Sequence, residues 1–401
     1  MSGSESGPKG APMSLGIALA LCSVPSVMSA VVLVPILPEM FRIFGSVGDA
    51  NFWIPALITI PGLCTALLSP VAGYIGDRIG LRLPIVISLV LFALFGLAPF
   101  FLNQFEYILA SRIALGISQV GALVLSIALI GQQFEGAARD RWLAIQTIAA
   151  TSSALILMPL SGLLANSALG WHGSFLLFLS GIVLAVVIAR LPLKPAPRHD
   201  ADHHAGSGGM PWAWLLGQCV VTLLVGVLFF TTQFQFGLAL AHVGVTSPGQ
   251  IGLLSGLAAA GIMLGSACFI AAKKRLGSLL LPTELLVCGV TLVLMRQLPS
   301  LTPLLVLAFI NMFACGLMLP TLVTTVAAQL PDAVRGRGLG FWNSSFTFGQ
   351  FLSAAFVGAV LSRIGANILD AFALLGVGAL IMAPIGFGLV MLRGRKPAAT
   401  A

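Results

Sequence analysis

Among the few ionisable side chains within or at the ends of long apolar segments, Glu39, Arg112 and Glu284 are the candidates for chemistry. Arg112 lies about eight residues into its segment, which is roughly 12 Å along an α-helix. A charged group at that depth in an apolar medium is expensive and usually functional. The alternative is an arginine whose long stem carries the guanidinium to a polar surface. The chemistry open to these groups is anion binding for Arg112 and proton transfer for the two carboxylates.

A polar loop with the sequence GYIGDRIGLR, residues 73–82, separates two apolar segments. Gly73 permits a second helix to approach closely, and Gly80 permits a tight turn. We expect Asp77 to interact with the positive end of a neighbouring helix, and the start of the eleventh apolar segment is the expected partner.

Arg78 and Arg82 of the same loop are expected to pair with acids of the next loop on that side, such as Glu135. Together with Asp77 they would form a latch that joins the two halves of the chain. The alternative is that the two arginines only set the orientation of the chain. Orientation alone would not require Asp77.

Hydroxyl and amide side chains interrupt apolar segments that are otherwise uniformly hydrophobic. In such surroundings they either contact a polar ligand or join neighbouring helices by hydrogen bonds. Phe229, Phe230, Phe234 and Phe236 lie among threonines and glutamines in one of these segments, which favours an amphipathic, aromatic or cationic ligand, although core packing is the commoner role. The candidate ligand contacts are Ser26, Gln119, Gln233, Gln235, Asn311, Asn343 and Gln350.

The composition identifies the solvent around these segments. Of the 401 residues 58% are hydrophobic and only 8% are charged, and the mean hydropathy is +1.05. Soluble proteins carry about 25% charged residues, so a soluble enzyme, a disordered chain and a coiled coil are all excluded. The formal net charge of +8 lies in short clusters between apolar segments. It therefore indicates membrane topology and a lipid bilayer as partner, not nucleic acid.

The chain contains twelve apolar runs of the length that a membrane-crossing helix needs, about 20 residues. This predicts an all-α integral membrane protein, because strands of a membrane barrel are much shorter. The twelve predicted spans are about 14–38, 51–75, 82–102, 105–131, 141–165, 171–192, 212–238, 249–272, 279–298, 302–328, 337–362 and 367–392.

The distribution of cations predicts the orientation. With the N-terminus inside, sixteen of the 20 Lys and Arg fall on the cytoplasmic side, Arg112 lies in a span, and only Arg42, Arg296 and Arg363 lie outside. This bias predicts that both termini are cytoplasmic, in a bacterial inner membrane.

A polar stretch in the middle of the chain divides the spans into two groups of six. The prediction is an N-terminal tail, a six-helix bundle, a cytoplasmic linker, a second bundle and a C-terminal tail, at 1–13, 14–192, 193–210, 211–392 and 393–401.

His199, His203 and His204 of the linker lie beside two aspartates and would suit a metal. The surrounding Pro, Gly and Ser favour a solvated linker instead. The six cysteines have no CxxC spacing, so neither a metal site nor a disulfide is predicted.

The loop at residues 73–82 resembles the signature loop of the major facilitator superfamily, G-x-x-x-D-R-x-G-(R/K)-(R/K), and departs from it only at Leu81. Arg112-Ile-Ala-Leu-Gly116 is similar to the fourth-helix motif R-x-x-x-G of that family, which is associated with proton transfer. Pro159 and Gly162 resemble remnants of the motif typical of its antiporters. The resemblance covers essentially the whole chain. It implies a monomeric secondary transporter whose two six-helix bundles, pseudo-symmetric halves, rock around a midplane site.

The resulting prediction is proton-coupled efflux of a small amphipathic organic compound. The alternative is proton symport that imports a small organic acid, with Arg112 as the carboxylate anchor. For the coupling acid we expect Glu39 before Glu284, because Glu39 lies nearer the outer opening and on the same half as Arg112.

Other classes of function have less support. No Walker loop is present, no cofactor is implied, and no intramembrane cluster offers an enzyme its metal or nucleophile. A receptor without transport would not need the latch.

Overall fold

The computed structural model describes residues 12–193, 210–331, 334–363 and 367–394. Most of the predicted N-terminal tail, nearly all of the linker with its three histidines, and most of the C-terminal tail lie outside these described residues. Within them the chain is helical and contains no strand. The predicted all-α class is confirmed.

Eleven stretches of the described chain are long and apolar enough to cross a membrane, and one of them, Pro248–Gln297, contains two helices. These two helices, Pro248–Leu276 and Leu280–Gln297, meet at a short 3-10 turn where Gly277 has a φ of +53°. The fold is therefore the predicted one, with twelve membrane-crossing helices in two bundles of six.

The spans are numbered in chain order, and several of them consist of more than one helical piece. In the first half they comprise Met13–Leu21 with Val24–Val31 and Leu37–Phe44 (span 1), Ala50–Ile79 (span 2), Arg82–Leu97 with Ala98–Phe100 (span 3), Phe105–Gln133 (span 4), Gly136–Ala165 (span 5) and Gly170–Leu179 with Ser180–Arg190 (span 6). In the second half they comprise Trp212–His242 (span 7), Pro248–Leu276 (span 8), Leu280–Gln297 (span 9), Leu301–Gln329 (span 10), Arg335–Arg363 (span 11) and Ile368–Gly394 (span 12).

The sequence predicts span 1 as one continuous run that ends at residue 38, and the structure differs from this prediction. The span is broken twice and continues to Phe44. Pro25, Pro35 and Pro38 account for the breaks, because proline has no backbone N–H to donate and its ring clashes with the preceding turn. Between the second and third pieces the backbone bonds are of the tighter i to i+3 kind, such as that from Ile36 N to Leu33 O at 3.2 Å.

Large apolar side chains cover the outside of the molecule. Leu67, Val183 and Ile270 are 65%, 65% and 79% exposed, respectively. A soluble protein rarely leaves so many large apolar side chains in contact with water. The surface is that of a protein whose spans face lipid.

Spans 2 and 11, and spans 5 and 8, form most of the contact between the two bundles. Because the number of spans is even, the start of span 1 and the end of span 12 lie on one side of the membrane. We call this the terminal side and the other the opposite side. The pairing of these four spans leaves room for a cavity between the halves.

Candidate functional site

A cavity of about 270 Å³ lies between the two halves. Spans 1, 2, 4 and 5 of the first half and spans 7, 8, 10 and 11 of the second supply its walls. None of the described residues that line it carries a charge. Its polar lining consists of Ser26, Thr65, Gln119, Thr151, Gln233, Asn343, Thr347 and Gln350.

Five of the predicted ligand contacts come together in this lining: Ser26, Gln119, Gln233, Asn343 and Gln350. They come from spans 1, 4, 7 and 11, which are far apart in sequence. That they bind a substrate stays a prediction.

Gln235 and Asn311 do not line the cavity, contrary to their prediction as cavity residues. Gln235 lies two residues after Gln233, and two positions on an α-helix differ by about 200° in direction, so the two glutamines cannot share a face. Asn311 is buried within the second half and donates to the hydroxyl of Thr291 at 2.9 Å.

Gln119 is held in a fixed orientation by span 2. Its amide nitrogen donates to the carbonyl oxygen of Pro61 at 3.0 Å and to the hydroxyl of Thr65 at 2.9 Å, while its Oε1 has no hydrogen-bond partner among the described residues. A buried acceptor left unpaired is costly in an apolar interior. Gln119 therefore offers one free acceptor at the cavity wall.

Phenylalanine rings form the apolar wall of the cavity on the second half. The ring centre of Phe230 lies 5.3 Å from that of Phe234 and 5.0 Å from that of Phe346, which also contacts Phe229 at 5.5 Å. These spacings are those of favourable aromatic pairs. An amphipathic ligand would meet these rings and the amides of Gln233, Asn343 and Gln350 on the second half, and the amide of Gln119 on the first.

On the opposite side the two halves are in direct contact. A Cβ atom added to Gly162 of span 5 would lie 2.3 Å from the carbonyl oxygen of Pro248 in span 8, and one added to Gly358 would lie 2.7 Å from the carbonyl oxygen of Asn51. Only glycine allows backbones to approach so closely. The cavity is closed toward the opposite side by these contacts.

Arg112 is fully buried but does not line the cavity. Its guanidinium carbon lies 5.0 Å from the ring centre of Phe175 and 5.1 Å from that of Phe178, both in span 6. None of its three side-chain nitrogens has a hydrogen-bond partner among the described residues. The side chain does not reach a polar surface, and cation–π contact with the two rings offsets only part of the cost of its burial.

Glu39 forms an ion pair with Arg42 at 3.0 Å, and the two side chains are 24% and 76% exposed, respectively. It lies in the first turn of the helix Leu37–Phe44, where a carboxylate stabilises the helix dipole. Glu284 of span 9 is only 2% exposed. Its Oε1 accepts a hydrogen bond from the hydroxyl of Thr321 at 2.8 Å, and its Oε2 has no partner.

The predicted latch lies at the end of span 2. Gly73, Asp77 and Arg78 belong to the last turns of this helix. The side chains of Asp77 and Arg78 are outside the described part of the structure. Gly80 follows with a φ of +82°, a left-handed conformation that favours glycine and accounts for the predicted turn.

Arg82 was predicted to pair with an acid such as Glu135. It instead donates a hydrogen bond to the carbonyl oxygen of Ala189 at the end of span 6. The C-terminal end of a helix attracts a cation because its last carbonyl groups lack partners within the helix. Arg82 thus joins spans 3 and 6 within the first half.

Sequence reasoning missed the hydroxyls of Thr65, Thr151 and Thr321. The hydroxyl of a threonine inside a span commonly donates to the carbonyl oxygen four residues earlier, as that of Thr151 does to Thr147. The presence of a threonine in an apolar segment therefore does not by itself indicate a functional role. Thr65 would have been found only from its position opposite Gln119.

Solved structures of transporters share this fold. A bacterial homologue of the human lysosomal transporter Spinster, described as inward-facing and occupied, matches with a TM-score of 0.73 and 16% identity, over 96% of this chain and 98% of the other. The D-xylose-proton symporter matches with a TM-score of 0.71 and 15% identity, over 92% and 96%.

Two curated proteins match part of the sequence. The bacillibactin exporter of Bacillus subtilis (strain 168) is 30% identical over 157 residues, which are 37% of this chain and 38% of that protein. A probable vesicular acetylcholine transporter-B of Danio rerio is 29% identical over 147 residues, 35% of this chain and 30% of that protein. The matches thus span about a third of the length of these relatives.

The profile of the Major Facilitator Superfamily matches residues 19–283, which is most of the chain. This match agrees with the twelve-span, two-bundle fold, with the cavity between the bundles and with the resemblance of the loop at residues 73–82. The protein is a multi-pass membrane transporter and belongs to the Major Facilitator Superfamily.

Proposed function

We propose that this transporter exports a small amphipathic organic compound in exchange for protons. The observation that carries the proposal is the lining of the cavity, which offers amides, hydroxyls and phenylalanine rings and no charged side chain among its described residues. A substrate with a localised charge would find no ion pair there to offset its desolvation. A compound with an aromatic ring and a few polar groups would find hydrogen bonds and stacking partners.

Alternating access requires that the cavity open to one side at a time. The close approach of Gly162 to Pro248 and of Gly358 to Asn51 separates the cavity from the opposite side. The predicted excess of cations on the terminal side supports a cytoplasmic position for that side, in the inner membrane. The described conformation is then the one that receives a compound for export.

The direction of transport has support from one relative. This relative, which is 30% identical over 157 residues, is named a bacillibactin exporter. The name supports export as the direction of transport. Import of an organic acid by symport has less support, because its predicted anchor, Arg112, contacts Phe175 and Phe178 and is absent from the cavity lining.

Transport in proteoliposomes tests the proposal. Purified full-length protein is reconstituted, an acidic interior is imposed, and three probes are offered: chloramphenicol, which is uncharged and aromatic; ethidium, an aromatic cation; and benzenesulfonate, a permanent anion. We expect chloramphenicol or ethidium to accumulate while protons leave the vesicles, and we expect nigericin, which collapses the pH gradient, to stop this.

Protein-free liposomes provide the control for passive entry. Accumulation of benzenesulfonate alone, driven by an alkaline interior, would instead identify an anion symporter. Failure of both the uncharged and the cationic probe to accumulate would contradict export of this class of compound.

A further inference from the structure

Spans 9 and 10 bury a row of polar side chains within the second half, and none of them lines the central cavity. On span 9 they are spaced four and three residues apart and so share one helix face. We call this row the polar ladder, and its members are Glu284, Cys288, Thr291, Asn311, Cys315 and Thr321.

Most of the polar ladder is neutral and internally bonded. Asn311 donates to the hydroxyl of Thr291 at 2.9 Å, and the sulfur atoms of Cys288 and Cys315 lie 3.8 Å apart. These contacts hold spans 9 and 10 together. Glu284 is the member that can carry a negative charge at neutral pH.

No described cationic side chain forms an ion pair with Glu284. The two ion pairs of the described chain are those of Arg42 with Glu39 and of Arg296 with Asp370. Asp370, the acid of span 12, is thus paired with Arg296 at the end of span 9 that is far from Glu284. From spans 9 and 10 the titratable neighbours of Glu284 are the thiols of Cys288 and Cys315, which are part of the polar ladder.

Thr321 gives Glu284 a hydrogen-bonded arrangement in either protonation state. The hydroxyl oxygen of Thr321 lies 2.8 Å from Oε1 of Glu284 and 2.8 Å from the carbonyl oxygen of Leu317. When Glu284 is a carboxylate, this hydroxyl donates to it. When Glu284 is protonated, its O–H donates to the hydroxyl, which then donates to Leu317. Oε1 of Glu284 and the hydroxyl oxygen of Thr321 therefore keep their hydrogen bond whether Glu284 gains or loses a proton.

A short polar route leads from the terminal side to this pair. Lys273, an exposed residue at the end of span 8, donates to the hydroxyl of Thr324 at 2.9 Å. Thr324 lies one turn from Thr321 and donates to its carbonyl oxygen at 3.2 Å. Thr324 thus places a hydroxyl between the exposed Lys273 and the backbone of Thr321, one turn from the Thr321–Glu284 contact.

From this geometry we propose that Glu284 binds and releases the coupling proton, with Thr321 as its hydrogen-bond partner and with Thr324 and Lys273 as the polar groups between it and the terminal side. The proposal rests on the proposed proton-coupled function. It assigns coupling to a site in the second half, outside the substrate cavity, and removes that role from Glu39, which is already paired with Arg42. In the step, a hydronium ion gives its proton to a carboxylate oxygen of Glu284, an O–H bond forms, and water remains. Release reverses the step, and no electrons are transferred.

The first test needs no substrate. Dicyclohexylcarbodiimide is an apolar reagent that modifies protonated carboxyls in apolar surroundings. We expect mass spectrometry of the labelled full-length protein in proteoliposomes to find the adduct on Glu284, with less labelling as the pH rises. Glu39 and Glu106 are the internal controls and are expected to remain unmodified. An adduct on Glu39 with none on Glu284 would overturn the proposal.

The second test uses Glu284→Gln in proteoliposomes with the transported probe, chloramphenicol or ethidium. We expect exchange of probe across the membrane to persist, because exchange needs alternating access but no net proton movement. We expect accumulation against a gradient to be lost. Glu106→Gln, at an exposed acid in the first turn of span 4, is the matched control and is expected to accumulate the probe normally.

Uphill accumulation by Glu284→Gln at the rate of the parent would overturn the proposal. Thr321→Val provides a second variant that keeps the carboxyl and removes the hydroxyl. It is expected to slow accumulation, whereas Thr283→Val, whose hydroxyl bonds to the carbonyl oxygen of Leu279 just before its own helix, is not. If the parent transports none of the probes, the proposed function fails, and the labelling experiment still decides whether Glu284 binds a proton.

Discussion

Gly162 of span 5 and Pro248 of span 8 lie so close that a Cβ atom on Gly162 would be 2.3 Å from the carbonyl oxygen of Pro248. The contact joins the two halves on the opposite side of the membrane. A neighbouring backbone cannot move away as a flexible side chain can. The contact is therefore possible only while position 162 has no side chain.

The first prediction follows from this contact. Gly162→Ala should prevent close approach of the halves on the opposite side and reduce transport strongly, while each bundle remains folded. Gly131→Ala is the control, because a Cβ atom there would meet nothing within 4 Å and alanine favours a helix by about 1 kcal/mol over glycine. The measurement uses a cysteine placed in the cavity and a thiol reagent added from the opposite side. The cysteine should become more accessible to the reagent only in Gly162→Ala. Unchanged accessibility would contradict the role of this contact.

The second prediction concerns Arg112. Its cation–π contacts with Phe175 and Phe178 are worth about 2 kcal/mol, less than the several kcal/mol that burial of an ion costs. Arg112→Met should therefore unfold at the same or a higher temperature than the parent, measured by differential scanning fluorimetry in detergent. Because Arg112 does not line the cavity and coupling is assigned to Glu284, the same variant should keep coupled transport near the rate of the parent. Loss of coupled transport by Arg112→Met, with partial activity in Arg112→Lys because the charge survives, would instead place Arg112 in the transport path.

The third prediction concerns the latch. Asp77→Asn should leave folding and membrane insertion intact and severely reduce the initial rate of transport, since it removes the charge expected to interact with the start of span 11. Asp49→Asn serves as the control at an exposed aspartate on the opposite side. Equal initial rates for Asp77→Asn and the parent at matched expression would remove the latch hypothesis.

The fourth prediction separates cavity residues from structural amides. Gln233→Leu and Asn343→Leu should each raise the KM for the transported probe by about 3- to 10-fold, because a neutral hydrogen bond contributes about 0.5–1.5 kcal/mol. Asn311→Leu should leave KM unchanged and lower the thermal stability, since Asn311 bonds to Thr291 within the second half. A raised KM in Asn311→Leu, with none in the other two, would assign substrate binding elsewhere.

The sequence alone determined the class of protein and its plan. An apolar chain with 8% charged residues has to reside in lipid, and in lipid every backbone polar group needs an internal partner, so each of the long apolar runs has to be a helix. The loop at residues 73–82 was enough to indicate the family. These features depend on local composition and short spacings, which the primary structure carries completely.

Only the tertiary structure decided which polar side chains face the cavity. Gln233 lines it and Gln235 does not, although they are two residues apart, because the rotation of span 7 about its axis is set by packing against other spans. Arg112 meets Phe175 and Phe178, and Glu284 meets Thr321, across separations of 63 to 66 and of 37 residues in sequence. In a uniformly apolar span the hydrophobic pattern gives no preferred face, so the direction of each polar group is fixed only when the helices pack.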